Sequence, residues 1–145
     1  MNAFDFYMPP RIHFGSGKLD LIGEVALRYG KRALLVGPVM NDFIRPIYVK
    51  AEALLKTSNL DLVTFYEVEH NPSTQTVLKA KALAEAHQAD LILAIGGGSS
   101  IDTAKMVSSL YGNPQVDFTS LFQTNDHPFG IYAPIGPNPR PLIAI

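Results

Sequence analysis

Five short segments of the chain have the hydrophobic patterns of β-strands. Leu91 to Ile95, and Arg32 to Val36 after its first residue, are apolar without alternation, which is typical of strands covered on both faces in a parallel sheet. Arg11 to Phe14 alternates polar and apolar residues and predicts a half-buried strand. Two further strands are predicted at Leu60 to Tyr66 and at Leu142 to Ile145.

Helical patterns separate these strands. Turn residues bound them: Gly30 after the first, Pro46 in the first turn of the second, Ser73 or Thr74 at the start of the third and Gly112 after the fourth. Apolar spacing of three and four predicts buried stripes at Leu19, Ile22, Ala26 and Tyr29; Ile47, Ala51, Leu54 and Leu55; Val77, Ala80, Leu83 and Ala84; and Ile101, Ala104, Ser108 and Tyr111. This alternation predicts an α/β fold with a Rossmann-like, open, mainly parallel sheet and helices on both faces. Residues 113–140 are predicted to form a loop.

Length and composition narrow the class of protein. The chain has 145 residues, the size of one domain, and its 47% hydrophobic and 17% charged residues are ordinary for a globular protein. A net charge of −1 argues against binding a nucleic-acid backbone. No apolar run reaches the length of a membrane span, and the absence of cysteine excludes disulfides and thiolate metal sites. We therefore expect a cytoplasmic domain with no membrane or nucleic-acid partner.

The turn after the predicted strand Leu91–Ile95 carries three consecutive glycines, Gly96, Gly97 and Gly98. Each costs about 0.5–1 kcal/mol in chain entropy relative to alanine. One glycine would satisfy a tight turn that needs positive φ. Three predict that backbone N–H groups approach an anion at the helix N-terminus, where the helix dipole favours negative charge.

Ser99 and Asp102 have the spacing of a capping box, which predicts Ser99 as N-cap and Asp102 as N3 of the following helix. A carboxylate in the first turn would repel a phosphate bound there. We therefore expect Asp102 to face a neutral polar part of any ligand, such as a ribose or a carboxamide. Lys105 follows three residues later, and a solvated ion pair with Asp102 is the favoured interpretation.

These residues resemble a family signature. Gly96-Gly97-Gly98-Ser99, followed by Asp102 and Lys105, resembles the Gly-Gly-Gly-Ser-x-x-Asp-x-x-Lys motif of the iron-containing (group III) alcohol dehydrogenases. Three more segments resemble family motifs in the same order: RIHFGSG at 11–17, NPS at 71–73 and PLIAI at 141–145. The similarity covers the whole chain and implies the N-terminal nucleotide-binding domain of a dehydroquinate synthase-like fold.

The resemblance implies a dinucleotide cofactor, NAD or NADP. Together with the loop positions it gives a set of cofactor-binding residues: Gly37, Asn71, Gly97, Gly98, Ser99, Ser100 and Asp102. The segment 97–100 would contact the diphosphate and Asp102 the nicotinamide-side ribose, while Gly37 would permit close approach of the adenosine portion. Asn71 would lie beside the cofactor, although Asn-Pro is also a frequent turn starter.

The end of the second strand bears on the choice of cofactor. Family members that prefer NAD typically carry an aspartate there, which would bind the ribose 2′-hydroxyl. This chain has Gly37-Pro38 instead. Without that acid it should repel a 2′-phosphate less, so we expect NADP to be tolerated or preferred.

The metal of the family, Fe²⁺ or Zn²⁺, is held by one Asp and three His of a helical domain, and none of those positions exists in this chain. Glu67, Glu69 and His70 come nearest to a ligand cluster, and a solvated loop is the favoured interpretation. The sequence thus assigns neither a catalytic nor a metal-binding residue. We interpret residues 1–145 as the dinucleotide-binding domain of a longer enzyme and expect this chain alone to be inactive.

The leading functional hypothesis is an NAD(P)-dependent alcohol dehydrogenase or aldehyde reductase that acts on a small alcohol or aldehyde. We expect it to be a homo-oligomer. One alternative is a dehydroquinate synthase-like lyase, which shares this domain but matches Ser99 and the Asp102/Lys105 pair less well. The other is a stand-alone module that binds a nucleotide or a phosphosugar.

Overall fold

The computed structural model describes residues 10–115, residue 118 and residues 139–145. A 3₁₀ turn precedes the first helix, and strands and helices then alternate. The elements are the 3₁₀ helix Lys18–Leu21, α1 (Ile22–Leu27), β1 (Arg32–Pro38), α2 (Arg45–Thr57), β2 (Asp61–Val68), α3 (Thr74–Ala86), β3 (Leu91–Ala94), α4 (Gly98–Gly112) and β4 (Leu142–Ala144). Among the helices so described, none is long and apolar enough to cross a bilayer.

The four strands form one sheet in the order β2-β1-β3-β4, and every neighbouring pair is parallel. From β1 the chain moves outward to β2, then returns past β1 to form β3 on its other side. The strand order therefore reverses between β1 and β3. Since all four strands run the same way, their carboxyl ends lie along one edge of the sheet.

The core has two layers because the strand residues alternate between the faces. Leu34 and Ile92 pack with α3 and α4 on one face, and Leu35 and Leu93 pack with α1 and α2 on the other. All four side chains are fully buried. Burial of one such side chain contributes about 1.5–3 kcal/mol. Because helices cover both faces of the sheet, successive strand residues are all buried, which explains the apolar runs without alternation. The predicted α/β fold is confirmed.

The N-terminal segment differs from the prediction. Residues 10–14 form no strand, and Ile12 and Phe14 are 64% and 93% exposed. The segment alternates polar and apolar residues as a strand would, but no strand among the described residues pairs with it. An alternating sequence makes a strand only when its backbone groups find partners.

Two predicted helix faces also need correction. Ile47 is half exposed, and Tyr48 takes its place at 3% exposure. Tyr29 is likewise half exposed, because α1 ends at Leu27. Gly112 does not stop α4 but is its last residue, with Asn113 as C-cap. Most of the loop predicted over 113–140 lies outside the described residues.

A pair of tyrosines packs against Gly37 at the end of β1. The rings of Tyr48 and Tyr66 meet edge to face with centroids 5.2 Å apart. A Cβ atom on Gly37 would lie 2.8 Å from Tyr48 Cε1 and 3.1 Å from both Tyr66 Cδ1 and Ile95 Cγ2. The two tyrosine rings and Ile95 therefore occupy the space in which a Gly37 side chain would lie.

We predict that G37A lowers the free energy of unfolding by about 1–3 kcal/mol, because the added methyl overpacks this contact. G98A is the matched control, since a Cβ there meets nothing within 4 Å. It should leave stability unchanged or raise it slightly. Urea unfolding of both variants checks this, and equal stabilities for G37A and the wild type would contradict it.

Candidate functional site

Three loops leave the carboxyl ends of neighbouring strands at one edge of the sheet. The first begins after Pro38 and the second spans Glu69 to Ser73, while the third is the turn from Ile95 to Gly97. Strands lie about 4.8 Å apart, so the ends of β2 and β3 are separated by about 10 Å, with β1 between them. Ligands of open parallel sheets bind at the edge where the strand order reverses. In this sheet that position is the gap between β1 and β3.

The turn after β3 is fixed from two sides. The N–H of Ile95 donates to the Val36 carbonyl at 2.8 Å, and the Tyr48 hydroxyl donates to the Ile95 carbonyl at 3.0 Å. Burial raises the pKa of Tyr48, so this hydroxyl stays protonated and remains a donor. Gly96 then adopts φ +124°, which only glycine reaches without strain.

Gly97 and Gly98 are not needed for the turn itself. Neither has positive φ, and a Cβ on either would meet nothing within 4 Å. The absence of side chains at these two positions leaves the backbone open to solvent. A cradle of this kind admits a phosphate, which a Cβ would obstruct.

The N-terminus of α4 is uncapped. Gly97 is the N-cap and provides no side chain, and the first turn contains no acid. The described residues supply no acceptor for the N–H groups of Gly98, Ser99 and Ser100, and the first bond is that of Ile101 N–H to the Gly97 carbonyl at 3.2 Å. Unpaired N–H groups and the positive end of the helix dipole favour an anion at this helix start.

The other two long helices begin differently. At α2 the first N–H, that of Arg45, donates to the Asn41 main-chain carbonyl at 3.0 Å, and Asn41 Oδ1 accepts from the N–H groups of Phe43 and Ile44 just before the helix. At α3 the Ser73 hydroxyl accepts from Thr76 N–H at 3.2 Å, as the sequence predicts. Oxygen atoms of the protein thus accept from N–H groups at the starts of α2 and α3, whereas the N–H groups at the start of α4 have no such acceptor among the described residues.

The predicted capping box is wrong. Ser99 lies inside α4 and makes no side-chain cap, because the helix begins one residue before it. Asp102 is consequently beyond the first turn. It is 70% exposed and lies 3.2 Å from Lys105 Nζ, which confirms the solvated ion pair. Ser100 is buried beneath the turn, with its hydroxyl 3.0 Å from where a Gly96 Cβ would lie.

The role expected for Gly37 also needs correction. This residue is buried, and the tyrosine rings rather than a ligand occupy the space beside it. Pro38 is the β1 residue next to the glycine turn, because its Cδ lies 3.2 Å from where a Gly96 Cβ would be. Any adenosine contact at the end of β1 therefore falls to residues after Gly37.

Asn71 lies in an exposed loop with φ +53°. Glu69 accepts from the Ser73 N–H at 2.8 Å and from the Thr76 hydroxyl at 2.6 Å. These bonds, first of all the one from Thr76, lower the pKa of Glu69 to about 2. The sequence placed Glu69 with Glu67 and His70 as the nearest approach to a metal cluster. Its carboxylate instead binds the start of α3, and the described residues contain no group of three His, Asp or Glu side chains that could hold a metal.

Sequence reasoning missed Tyr48 and gave Glu69 the wrong context. The signal for Tyr48 was available, since a buried tyrosine hydroxyl needs a hydrogen-bond partner. For Glu69 the signal was a carboxylate four residues before a serine N-cap, where a helix dipole favours negative charge.

Comparison with known proteins decides the family. The family model for iron-containing alcohol dehydrogenase matches residues 9–145. The chain belongs to this family. It is 39% identical over 109 residues to NADH-dependent butanol dehydrogenase A of Clostridium acetobutylicum, covering 75% of this chain and 28% of that protein. It is also 33% identical over 118 residues to NADPH-dependent butanol dehydrogenase of Clostridium saccharobutylicum, covering 80% of this chain and 29% of that protein.

Solved structures of the family share the fold. An alcohol dehydrogenase of an archaeal halo-thermophile from a Red Sea brine pool superposes with a TM-score of 0.84 at 29% identity. The match covers 98% of this chain and 36% of that one. The chain thus spans about a third of the length of its family relatives.

A groove on the described surface reaches the glycine turn at Ile145, whose carbonyl accepts from the Gly96 N–H at 3.3 Å. It runs along β4 and is lined by residues 10–13, α1 and the outer face of α4, and it contains none of the seven residues assigned to the cofactor. Among the described strands β4 has a neighbour on one side only. The groove therefore follows an open edge of the sheet, and we place the candidate site at the turn.

The lowered pKa of Glu69 predicts a pH dependence of stability. A carboxylate whose pKa is depressed by folding contributes stability that is fully present above its unfolded value of 4.5 and is lost as the pH falls towards about 2. The difference in unfolding free energy between the wild type and E69Q should therefore shrink as the pH falls from 5 to 2. Urea unfolding across that range measures it. A difference that stays constant down to pH 2 would refute this prediction.

Proposed function

We propose that this chain is the NAD(P)-binding part of a metal-dependent alcohol dehydrogenase or aldehyde reductase. The observation that carries the proposal is the open, uncapped start of α4 at the point where the strand order reverses. Membership of the iron-containing family supports the reaction class. The lyase alternative is not favoured, since the two clostridial relatives and the archaeal structure are alcohol dehydrogenases.

Under this proposal the segment 97–100 binds the diphosphate through its backbone N–H groups. Three unpaired donors and a helix dipole offset the negative charge, and the first turn of α4 contains no acid. Asp102 lies one helical turn further on, where its carboxylate can accept from a ribose hydroxyl. Asn71 offers an amide with both a donor and an acceptor at the neighbouring loop. When bound, a reduced nicotinamide would donate a hydride to the carbonyl carbon of an aldehyde, and an oxidised one would accept a hydride from the hydroxyl-bearing carbon of an alcohol.

We further propose that residues 1–145 supply the cofactor half of the reaction. The family resemblance assigns the metal to a helical domain whose ligand positions have no counterpart in this chain. By itself the chain should then bind NADPH without oxidising it in the presence of short aldehydes. For the whole enzyme we propose a small alcohol or aldehyde as substrate and a homo-oligomeric assembly.

The G98A variant tests the cradle. A methyl group there would lie in the open space that the diphosphate is proposed to occupy, so NADPH affinity should fall at least tenfold while stability is kept. Isothermal titration calorimetry with NADPH and NADH measures the affinity. S109A is the control, because Ser109 lies in the same helix about 16 Å from Gly98. No uptake of either dinucleotide by the wild type, or equal uptake by G98A, would overturn the proposed function.

The cofactor preference is proposed to lean towards NADP. Pro38 stands at the end of β1 where an acid would repel a 2′-phosphate, and it abuts the glycine turn. The nearest acid of this loop, Asp42, is fully exposed and lies 3.6 Å from Arg45. Relatives named for NADH and for NADPH both occur in the family, which is compatible with either preference.

We predict that P38D weakens NADPH binding at least fivefold and leaves NADH binding unchanged or tighter. The new carboxylate would repel the 2′-phosphate and could accept from a free 2′-hydroxyl. P38A, which removes the ring without adding charge, should discriminate as the wild type does. Parallel titrations with both cofactors check this. Wild-type binding of NADH tenfold tighter than NADPH would contradict the preference.

A further inference from the structure

We propose that Glu69 is a positioning residue for the cofactor: its carboxylate holds the loop that carries Asn71 in the conformation that presents the Asn71 amide. This inference rests on the proposed function and deepens it. It assigns a role to a side chain that belongs neither to the glycine turn nor to the residues expected to contact the dinucleotide.

The loop needs such a support because of Asn71 itself. Its φ of +53° lies in the left-handed region, which is sparsely populated by non-glycine residues although asparagine enters it more readily than most. The side chain of Asn71 is exposed and has no hydrogen-bond partner among the described residues. The amide is therefore available to a ligand, and its direction depends on how the backbone is held.

Glu69 supplies the hold by bridging the loop. It stands two residues before Asn71, and its Oε1 accepts from the N–H of Ser73, two residues after. Both carboxylate oxygens also lie within 2.7 Å of the Thr76 hydroxyl, which donates to them. Thr76 is only 8% exposed, so the brace is anchored in the packed part of α3.

The chemistry of the brace calls for a carboxylate. Both partners donate a hydrogen, and an ionised carboxylate accepts at both oxygens, whereas an amide would turn one donor group towards them. The negative charge also lies at the start of α3, where the helix dipole stabilises it. Glu67 offers a matched comparison on the same strand end, since it is exposed and its only ion-pair contact among the described residues is Lys79 at 3.9 Å.

The test measures NADPH affinity of the 145-residue chain by calorimetry, in the wild type, E69Q and E67Q. We expect E69Q to weaken binding three- to tenfold and E67Q to change it less than twofold. T76V removes the hydroxyl donor at constant volume and should weaken binding in the same direction. Circular dichroism and thermal unfolding establish that each variant is folded. If E69Q does not fold, T76V carries the test.

A second set of variants, made in the N71G protein, distinguishes a positioning role of Glu69 from a general loss of stability. N71G removes the amide, and glycine adopts positive φ without strain. If Glu69 acts through Asn71, adding E69Q to N71G should cause no further loss of affinity. Hydrogen exchange of the Ser73 amide, faster in E69Q than in the wild type, should report the loosened loop in the absence of cofactor.

Two failures are distinguishable. If the wild type binds NADPH but E69Q binds equally well, or loses as much affinity in N71G as in the wild type, the positioning role is overturned and the proposed function stands. If the wild type binds neither NADPH nor NADH, the proposed function fails and the role of Glu69 fails with it.

Discussion

The rest of the site depends on how the chain passes from β3 into α4. Ile95 is held by the Val36 carbonyl through its N–H and by the Tyr48 hydroxyl through its carbonyl. With both backbone groups of Ile95 held, the chain enters the helix through a positive φ of +124° at Gly96. A Cβ there would lie 3.2 Å from Tyr48 Oη and 3.2 Å from Pro38 Cδ. Conformation and space therefore both require glycine.

The three long helices differ in whether the protein supplies acceptors for the N–H groups at their starts. The first N–H of α2 donates to the Asn41 main-chain carbonyl, and the start of α3 is capped by Ser73 with Glu69. The start of α4 is left without a side-chain acceptor, and its first acid pairs with Lys105 in solvent. Unpaired N–H groups are unfavourable unless water or a ligand binds them. The open helix is the one at the reversal of strand order, where ligands of such sheets bind.

The two sides of the proposed site are held in different ways. At the glycine turn, side chains are absent and the order comes from neighbours, chiefly Tyr48 on α2. At the Asn71 loop, a charged side chain within the loop provides the order through Ser73 and Thr76. The first arrangement leaves space for a bulky anion. The second presents a single amide at a defined place.

Local sequence alone determined the α/β alternation, the parallel sheet, the glycine turn and a helix start at Ser73 or Thr74, because each follows from apolar runs, helical spacing or turn residues. Tertiary structure decided what those patterns could not. Arg11 to Phe14 has a strand pattern but no strand partner among the described residues, Ser99 gives way to Gly97 as N-cap, and Gly37 serves two tyrosines that lie 11 and 29 residues away in the chain. In each case the outcome depends on which distant group arrives next to the residue. The same holds for Glu69, which the sequence places in a solvated loop and whose oxygens in the structure accept from Thr76.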